Sequence, residues 1–550
     1  MSRRTTGLVA GGVAVVIVAV ALIGVGVGLV RFGSSGALGA PRFVEEAAAA
    51  GVDHRYDGDQ RFAVGGGVAV FDCDGDNRPE LYLAGGAGPA ALYRNQSATN
   101  GLRFAAIHDP LTDVTGVNGA YPLDIDGDGL VDLAVLRLGG VDLLRGLGGC
   151  RFGRANEDWS FDGGRAFTTA FSATWEGSNK FPTIALGNYL GLDGSGQSTF
   201  DCADNVLVRP APGGTGYGPP ATLAPGYCTL SMLFSDWDRS GRRDLRVTND
   251  RHYAASAQEQ LWRVAGGEPP RLYTAADGWV SMQIWGMGIA SYDVTGDGYP
   301  EVYLTSQADN KLQTLTSGPG KPTYRDIALA RGVNSARPFT GGDILPSTAW
   351  HPEFADVNND GFIDLFVSKG NVSTQPDYAT RDPSDLFLGQ PDGSFVEAAE
   401  AAGVLTFARG RGAALADFNL DGLPDLVEVN YGDKVLLWRN AGGGTATAPA
   451  PMGNWLDVRA VEPAPNRDAI GAWIEVRVGQ ATSRRELTVG GGHIGGQLGF
   501  VHFGLGAARD AEVRVQWPDG EMGPWLHVDA NGIYDLERGA SAARRWRPGG

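Results

Sequence analysis

The chain has 550 residues, 43% hydrophobic and 20% charged, which fits a folded protein of several domains and excludes a largely disordered one. Glycine is in excess, at 83 residues or about 15% against roughly 7% in an average protein, and has no three-residue period. Collagen is therefore excluded and many tight turns between short strands are expected. A formal net charge of −18 argues against a nucleic-acid partner, and four cysteines without a CxxC pair argue against structural zinc.

Residues 8–30 are 23 uncharged, almost wholly apolar positions flanked by Arg3, Arg4 and Arg31. About 20 such residues cross a bilayer as a helix, whereas a cleaved signal peptide has a shorter apolar region. The stretch is read as one N-terminal transmembrane signal-anchor, with secretion after cleavage behind Gly39 as the alternative. Arg3 and Arg4 hold the N-terminus in the cytoplasm and place everything after residue 31 outside it. Residues 32–41 read as a linker.

From residue 42 to 440 one nine-residue pattern recurs: residues 72–80 (DCDGDNRPE), 124–132 (DIDGDGLVD), 236–244 (DWDRSGRRD), 293–301 (DVTGDGYPE), 356–364 (DVNNDGFID) and 417–425 (DFNLDGLPD). Short apolar or small-residue runs flank each copy, as in Leu81-Tyr82-Leu83 and Val302-Tyr303-Leu304, which reads as strand, tight loop, strand. The 112-residue gap between the second and third copies holds a degenerate one, with Trp175, Gly177, Asn179 and Thr183 at the donor positions. The spacings then become 52, 51, 61, 57, 63 and 61 residues. Seven strand-rich units of this period predict an all-β fold, a seven-bladed β-propeller, with a solenoid as the alternative.

Positions 1, 3, 5 and 9 of the loops carry hard oxygen donors. They are Asp72, Asp74, Asp76 and Glu80; Asp124, Asp126, Asp128 and Asp132; Asp236, Asp238, Ser240 and Asp244; Asp293, Thr295, Asp297 and Glu301; Asp356, Asn358, Asp360 and Asp364; and Asp417, Asn419, Asp421 and Asp425. Ca²⁺ takes six to eight oxygens, and acids crowded within nine residues repel one another without a cation. Position 6 is Asn77, Gly129, Gly241, Gly298, Gly361 or Gly422, residue types that accept a left-handed turn. About five Ca²⁺ ions are expected, the Asp236 loop being the weaker candidate for a sixth because Ser240 stands at position 5 and Arg242 and Arg243 crowd the acids.

These loops resemble the FG-GAP/VCBS repeats of integrin α-like propellers. Further on come Asn454-Trp455-Leu456, Asn466-Arg467-Asp468-Ala469-Ile470-Gly471-Ala472, Gly490-Gly491-Gly492, Val501-His502-Phe503-Gly504-Leu505-Gly506 and Val513-Arg514-Val515-Gln516-Trp517-Pro518-Asp519-Gly520. That order of motifs is similar to the ASPIC/UnbV domain of the cartilage acidic protein-like family. His493-Ile494-Gly495-Gly496-Gln497 stands where the family has an aromatic residue and Ser-Gln. The resemblance implies an extracytoplasmic, calcium-binding propeller with adhesive or binding roles and no established catalysis.

Residues 453–538 read as a small β-sandwich or barrel-like domain, with strands at 455–461, 473–478, 485–489, 501–503, 512–517 and 533–536. Residues 441–452 read as a linker and the tail from 539 as disordered. Cys202 and Cys228 flank a Pro/Gly-rich excursion and are expected to pair, which leaves Cys73 and Cys150 for each other. No HExxH, GxSxG or P-loop is present, and His54, His108, His252, His351, His493, His502 and His527 read as solvated or satisfied. Tyr189, Trp237, Tyr253, Trp285 and Trp350 either fill blade cores or line a sugar-binding face. The function expected is that of a membrane-anchored binding, adhesion or scaffold protein for a glycan or protein ligand. A Ca²⁺-dependent polysaccharide lyase or hydrolase and an assembly factor are the alternatives.

Overall fold

The structure is a computed structural model that describes residues 36–193, 198–250 and 257–547. The apolar span 8–30 lies outside these residues, as do His252 and Tyr253. Among the described residues no helix is long and apolar enough to cross a membrane.

The fold is all-β. Seven antiparallel sheets follow one another along the chain, each with four principal strands. Their first strands are Val68–Phe71, Thr115–Leu123, Thr168–Thr174, Thr229–Ser235, Gly286–Tyr292, Ala349–Ala355 and Gly410–Ala416. Each lies beside the first strand of the next sheet, and Gly410–Ala416 returns to Val68–Phe71, with Gly412 N donating to Gly66 O at 3.0 Å. The second strands, such as Asp132–Arg137 and Asp425–Asn430, are almost wholly buried because both faces of each sheet are covered by neighbours. This explains their near-continuous apolar runs.

The seventh sheet is completed by the N-terminus. Phe43–Glu45 pairs with Leu436–Asn440 as its outer strand, Phe43 opposite Asn440. A one-turn helix, Ala47–Ala50, follows, and Gly51 ends it in the left-handed region at φ 87°. The same unit recurs after Phe395–Glu397 as Ala399–Ala402 and Gly403. The signal was in the sequence as FVEEAAAAGV at 43–52 and FVEAAEAAGV at 395–404.

Residues beyond 453 form two four-stranded sheets. One is ordered Val501–Gly506, Asn454–Val461, Gly532–Glu537, Arg544–Trp546; the other Ala481–Glu486, Trp473–Val478, Asp510–Gln516, Leu526–Asp529. Leu456, Val458, Ile474, Val476, Phe503 and Val513 are among the shared core. Three expectations are corrected here. The tail is not wholly irregular, because Arg544–Trp546 pairs with Gly532–Glu537. The 441–452 segment folds into a hairpin, Gly443–Thr445 against Ala448–Ala450. The strand expected at 485–489 stops at Glu486, and residues 488–498 leave the domain altogether. Both cysteine pairs form, Cys73–Cys150 and Cys202–Cys228.

Candidate metal loops and the axial plug

Each nine-residue loop joins the first strand of a sheet to its second, and its conformation is set by its own carboxylates. The position-1 acid accepts amide hydrogens from inside the loop: Asp72 from Gly75 and Asn77 (both 2.7 Å), Asp124 from Gly127 and Gly129 (both 2.9 Å), Asp356 from Asp360 and Gly361 (3.1 and 2.7 Å), Asp417 from Asp421 and Gly422 (3.0 and 2.6 Å). Position 6 is left-handed in all six, as expected, with φ from 64° at Asn77 to 96° at Gly298. Position 4 is left-handed too, including Arg239, Asn359 and Leu420 at 58°, 60° and 57°. Sequence reasoning missed this because the residue type there varies.

Position 9 has a second task. Glu80, Asp132, Asp364 and Asp425 each accept the amide of position 2, at 2.7, 2.7, 2.9 and 3.1 Å, and so clamp the hairpin. In the loop at 293 the clamp goes to Thr295, whose amide (2.9 Å) and hydroxyl (3.1 Å) both donate to Glu301.

The structure brings part of the predicted donor set together, while the position-5 acids Asp76, Asp128 and Asp297 are exposed and Asp76 and Asp128 pair with Arg78 and Arg145 at 3.3 and 2.8 Å. Asp72, Asp74 and Glu80, and likewise Asp124, Asp126 and Asp132, each place three carboxylate oxygens within 4.8 Å of one another. In the loop at 356, Asp356, Asn358, Asp360 and Asp364 are all buried. Burial drives these carboxyls upward: Glu80, Asp132 and Glu301 to about 8, Asp124 to about 7, Asp293 and Asp421 to about 6. Asp72, Asp356, Asp364, Asp417 and Asp425 move the same way, for the same reason. Two buried ligand oxygens, Asn419 Oδ1 and Asp293 Oδ1, have no hydrogen-bond partner among the described residues. Crowded, desolvated, partly orphaned oxygens are the kind of group a hard divalent cation takes as ligands.

Two loops differ. At 236, Arg242 pairs with Asp244 at 2.9 Å, and Trp237 Nε1 (2.9 Å) and the Tyr273 hydroxyl (2.8 Å) also donate to it, while Ser240 is exposed. Burial still lifts Asp236 to about 6. In the degenerate copy Thr183 Oγ1 donates to Glu176 at 2.6 Å and Arg209 pairs with the same carboxylate at 2.7 Å. In both, a guanidinium stands against the acid.

On the axis of the ring lies the segment 488–498 of the C-terminal domain. Ala173 N and Ser172 Oγ donate to Val489 O (3.1 and 2.6 Å), Gly491 N to Met232 O and Gly492 N to Ile289 O (both 2.7 Å), and His493 N to His351 Nδ1 (3.0 Å). Gly496–Leu498 runs parallel to Val68–Phe71 as an added strand, and Gln497 Nε2 donates to Glu353 Oε1 at 2.5 Å. Glycine on the first strands makes room. A Cβ at Gly67 or Gly119 would lie 1.7 or 1.8 Å from Ile494 O. His493 is fully buried beside Trp350, with ring centroids 5.0 Å apart. Burial, with Arg411 and His351 nearby, holds its imidazole well below the ordinary range. Of the aromatics considered for a sugar face, Tyr189, Trp237 and Trp350 are buried in cores and Trp285 is half-buried.

With this geometry in hand, comparison with known proteins is informative. A model of the FG-GAP-like repeat matches residues 72–135 and 293–367, and a model of ASPIC and UnbV matches residues 462–543. Cartilage acidic protein 1 of Homo sapiens is 26% identical over 241 residues, 43% of this chain and 33% of that protein. The Xenopus tropicalis protein is 26% identical over 248 residues, 43% and 34%. The matches thus span about a third of the length of these curated relatives. Among solved structures, an Agrocybe aegerita lectin described with specific recognition of non-reducing terminal N-acetylglucosamine aligns over 69% of this chain and 92% of its own, at 16% identity and TM-score 0.39. The Dos1 propeller aligns over 76% and 97%, at 9% identity and TM-score 0.33. The repeated loops, the ring of sheets and the C-terminal motifs agree with these matches: FG-GAP-like repeats and a C-terminal ASPIC/UnbV domain are found in this chain, an architecture it shares with cartilage acidic protein 1.

Proposed function

We propose that this is a membrane-anchored, extracytoplasmic binding or scaffold protein whose seven sheets are the blades of one calcium-stabilised propeller. The observation that carries the calcium reading is the crowding of buried and half-buried oxygens in the loops at 72, 124, 293, 356 and 417, all four positions being buried at 356, with Asn419 Oδ1 and Asp293 Oδ1 left unpartnered among the described residues. Asp, Asn and Thr side-chain oxygens, with a position-7 carbonyl, suit Ca²⁺ better than a softer ion. Five such ions would move the formal charge from −18 to about −8. Each ion would relieve repulsion inside one hairpin and so add to folding stability. The apolar span 8–30 supports anchoring, and two disulfides support an oxidising compartment. A glycan or protein ligand would meet the outer surfaces, since the chain's own segment fills the axis.

The test is thermal unfolding of the full chain in detergent, with EDTA and across a calcium titration. We expect a large calcium-specific rise in Tm that is absent from the Asp124→Ala, Asp356→Ala, Asp417→Ala triple variant. No rise, and no calcium bound to the purified protein, would remove the calcium reading and leave the fold intact.

A further inference from the structure

The axial segment 488–498 carries one titratable side chain, His493, and it lies where a second charge has no place. Its imidazole is fully buried against Trp350, and the Arg411 guanidinium lies 4.1 Å from the centre of the same indole. Arg411 is fully buried too and donates to the carbonyls of Ala63, Gly410 and Val372, each at 2.7 Å. No carboxylate is among these partners. Burial lowers the guanidinium only to about 9, so it keeps its charge in neutral and mildly acid solution.

The backbone on the other side of the ring is held by a neutral imidazole. His493 N donates to His351 Nδ1 at 3.0 Å, so that nitrogen carries no proton, and Nε2 faces Glu353 Oε2 at 3.4 Å. A proton on Nδ1 would set N–H against N–H, and the fit leaves no slack, since a Cβ at Gly492 would lie 2.5 Å from His351 Cε1. The acids nearby are committed. Glu353 accepts from Leu415 N (3.1 Å) and Gln497 Nε2 (2.5 Å), and Glu428 is turned to Ser368 and Ser384. The Tyr56 and Tyr121 hydroxyls donate to Phe62 O (2.9 Å) and Gly491 O (3.4 Å). Burial opposes a proton on His493 most, then Arg411 and His351, and only the Val64 backbone favours one.

We propose that the axial segment is an acid-sensitive latch: protonation of His493 drives residues 488–498 out of the ring and opens its axis, while the rest of the C-terminal domain stays on the loops. The domain keeps other holds there, Gly453 N and Gly506 N on Asn358 O and Asn359 O (3.1 and 2.9 Å) and Arg467 Nε on Gly127 O (2.8 Å). Seated, His493 is held neutral; withdrawn into water, it returns to its ordinary value of 6.5 and takes a proton. The latch is therefore at full strength above pH 6.5 and weakens about tenfold for each unit below it. Neither calcium nor the membrane anchor enters into it.

The experiment follows amide hydrogen exchange of the full chain in detergent, at fixed calcium, from pH 8 to 5, each rate taken relative to unstructured peptide at the same pH. Protection of 488–498 is expected to hold from pH 8 to 7 and to fall about tenfold between pH 6 and 5. Thr183–Asn188, a buried second strand whose loop lacks the acid pattern, should keep its protection. His493→Gln should abolish the fall in 488–498. His502, which bonds to Asp457 (2.8 Å) and Asn359 (2.6 Å) outside the axis, is untouched by that change. Protection of 488–498 that varies less than twofold over the range overturns the latch. An equal fall in Thr183–Asn188 overturns it too, because the ring itself is then unfolding. A fall as steep in His493→Gln as in the wild type overturns the role given to His493. Should that variant not fold, His493→Phe keeps a ring beside Trp350 without a titrating group and decides the same question.

Discussion

Gly119 lies on the second sheet's first strand and faces the carbonyl of Ile494 so closely that a methyl group has no place. Its backbone is not left-handed, so the requirement is space alone. We expect Gly119→Ala to cost about 1–3 kcal/mol, the usual penalty of overpacking, and to weaken protection of 488–498; a denaturant midpoint and the exchange rate together check this. The glycine excess was read from composition as tight turns, and most of it is that. A smaller set, Gly67, Gly119, Gly288 and Gly412, lines the axis, which was illegible because the segment needing the space comes from a domain hundreds of residues away. Glu428 offers a different test. It is fully buried, accepts from Ser368 and Ser384 (2.7 and 2.6 Å), and burial lifts its carboxyl to about 7. Between its ordinary value near 4.5 and about 7 the folded chain holds a proton that the unfolded chain has released. Stability therefore falls as pH rises through that window, and the loss is complete above it. In saturating calcium, Glu428→Gln should flatten the fall relative to wild type in unfolding curves from pH 4 to 8.

At the scale of loops and strands, the nine-residue hairpins were legible because alternate oxygen donors and a left-handed residue at position 6 leave few other readings. Position 4 was not, since Arg239, Asn359 and Leu420 carry no common chemistry that demands a positive φ. Other loops also hold an arginine against an acid, but among the described residues only the loop at 236 has one, Arg242, paired with its position-9 carboxylate, Asp244. Elemental analysis at saturating calcium should accordingly find about five ions per chain, and Arg242→Ala should raise that count by one. The disulfide Cys73–Cys150 ties position 2 of the first loop to the second sheet's outer turn and closes a stretch of 77 residues. On the chain-entropy account, Cys73→Ser with Cys150→Ser should lower stability by about 4 kcal/mol, measured as the unfolding free energy from midpoint and m together, with m raised because the unfolded chain is less constrained.

Across the whole molecule, the ring and the C-terminal domain share an interior. Segment 488–498 touches first strands around the axis, and the domain rests on the loops that hold those strands. Calorimetry in calcium should therefore show one cooperative transition, and separate melting of the two parts would count against this view. The closing strand Phe43–Glu45 carries an order of events as well. It is made first and its partner, Leu436–Asn440, last of the seven sheets, about 400 residues later. At roughly 5–20 residues per second, it waits on the order of 20–80 s for that partner. Throughout that interval the growing chain is an open stack with unpaired edges at both ends, the state in which strands join the wrong neighbour. An export route that keeps the first segment apart from the later sheets until residue 440 has emerged would suit this protein better than one that releases it early.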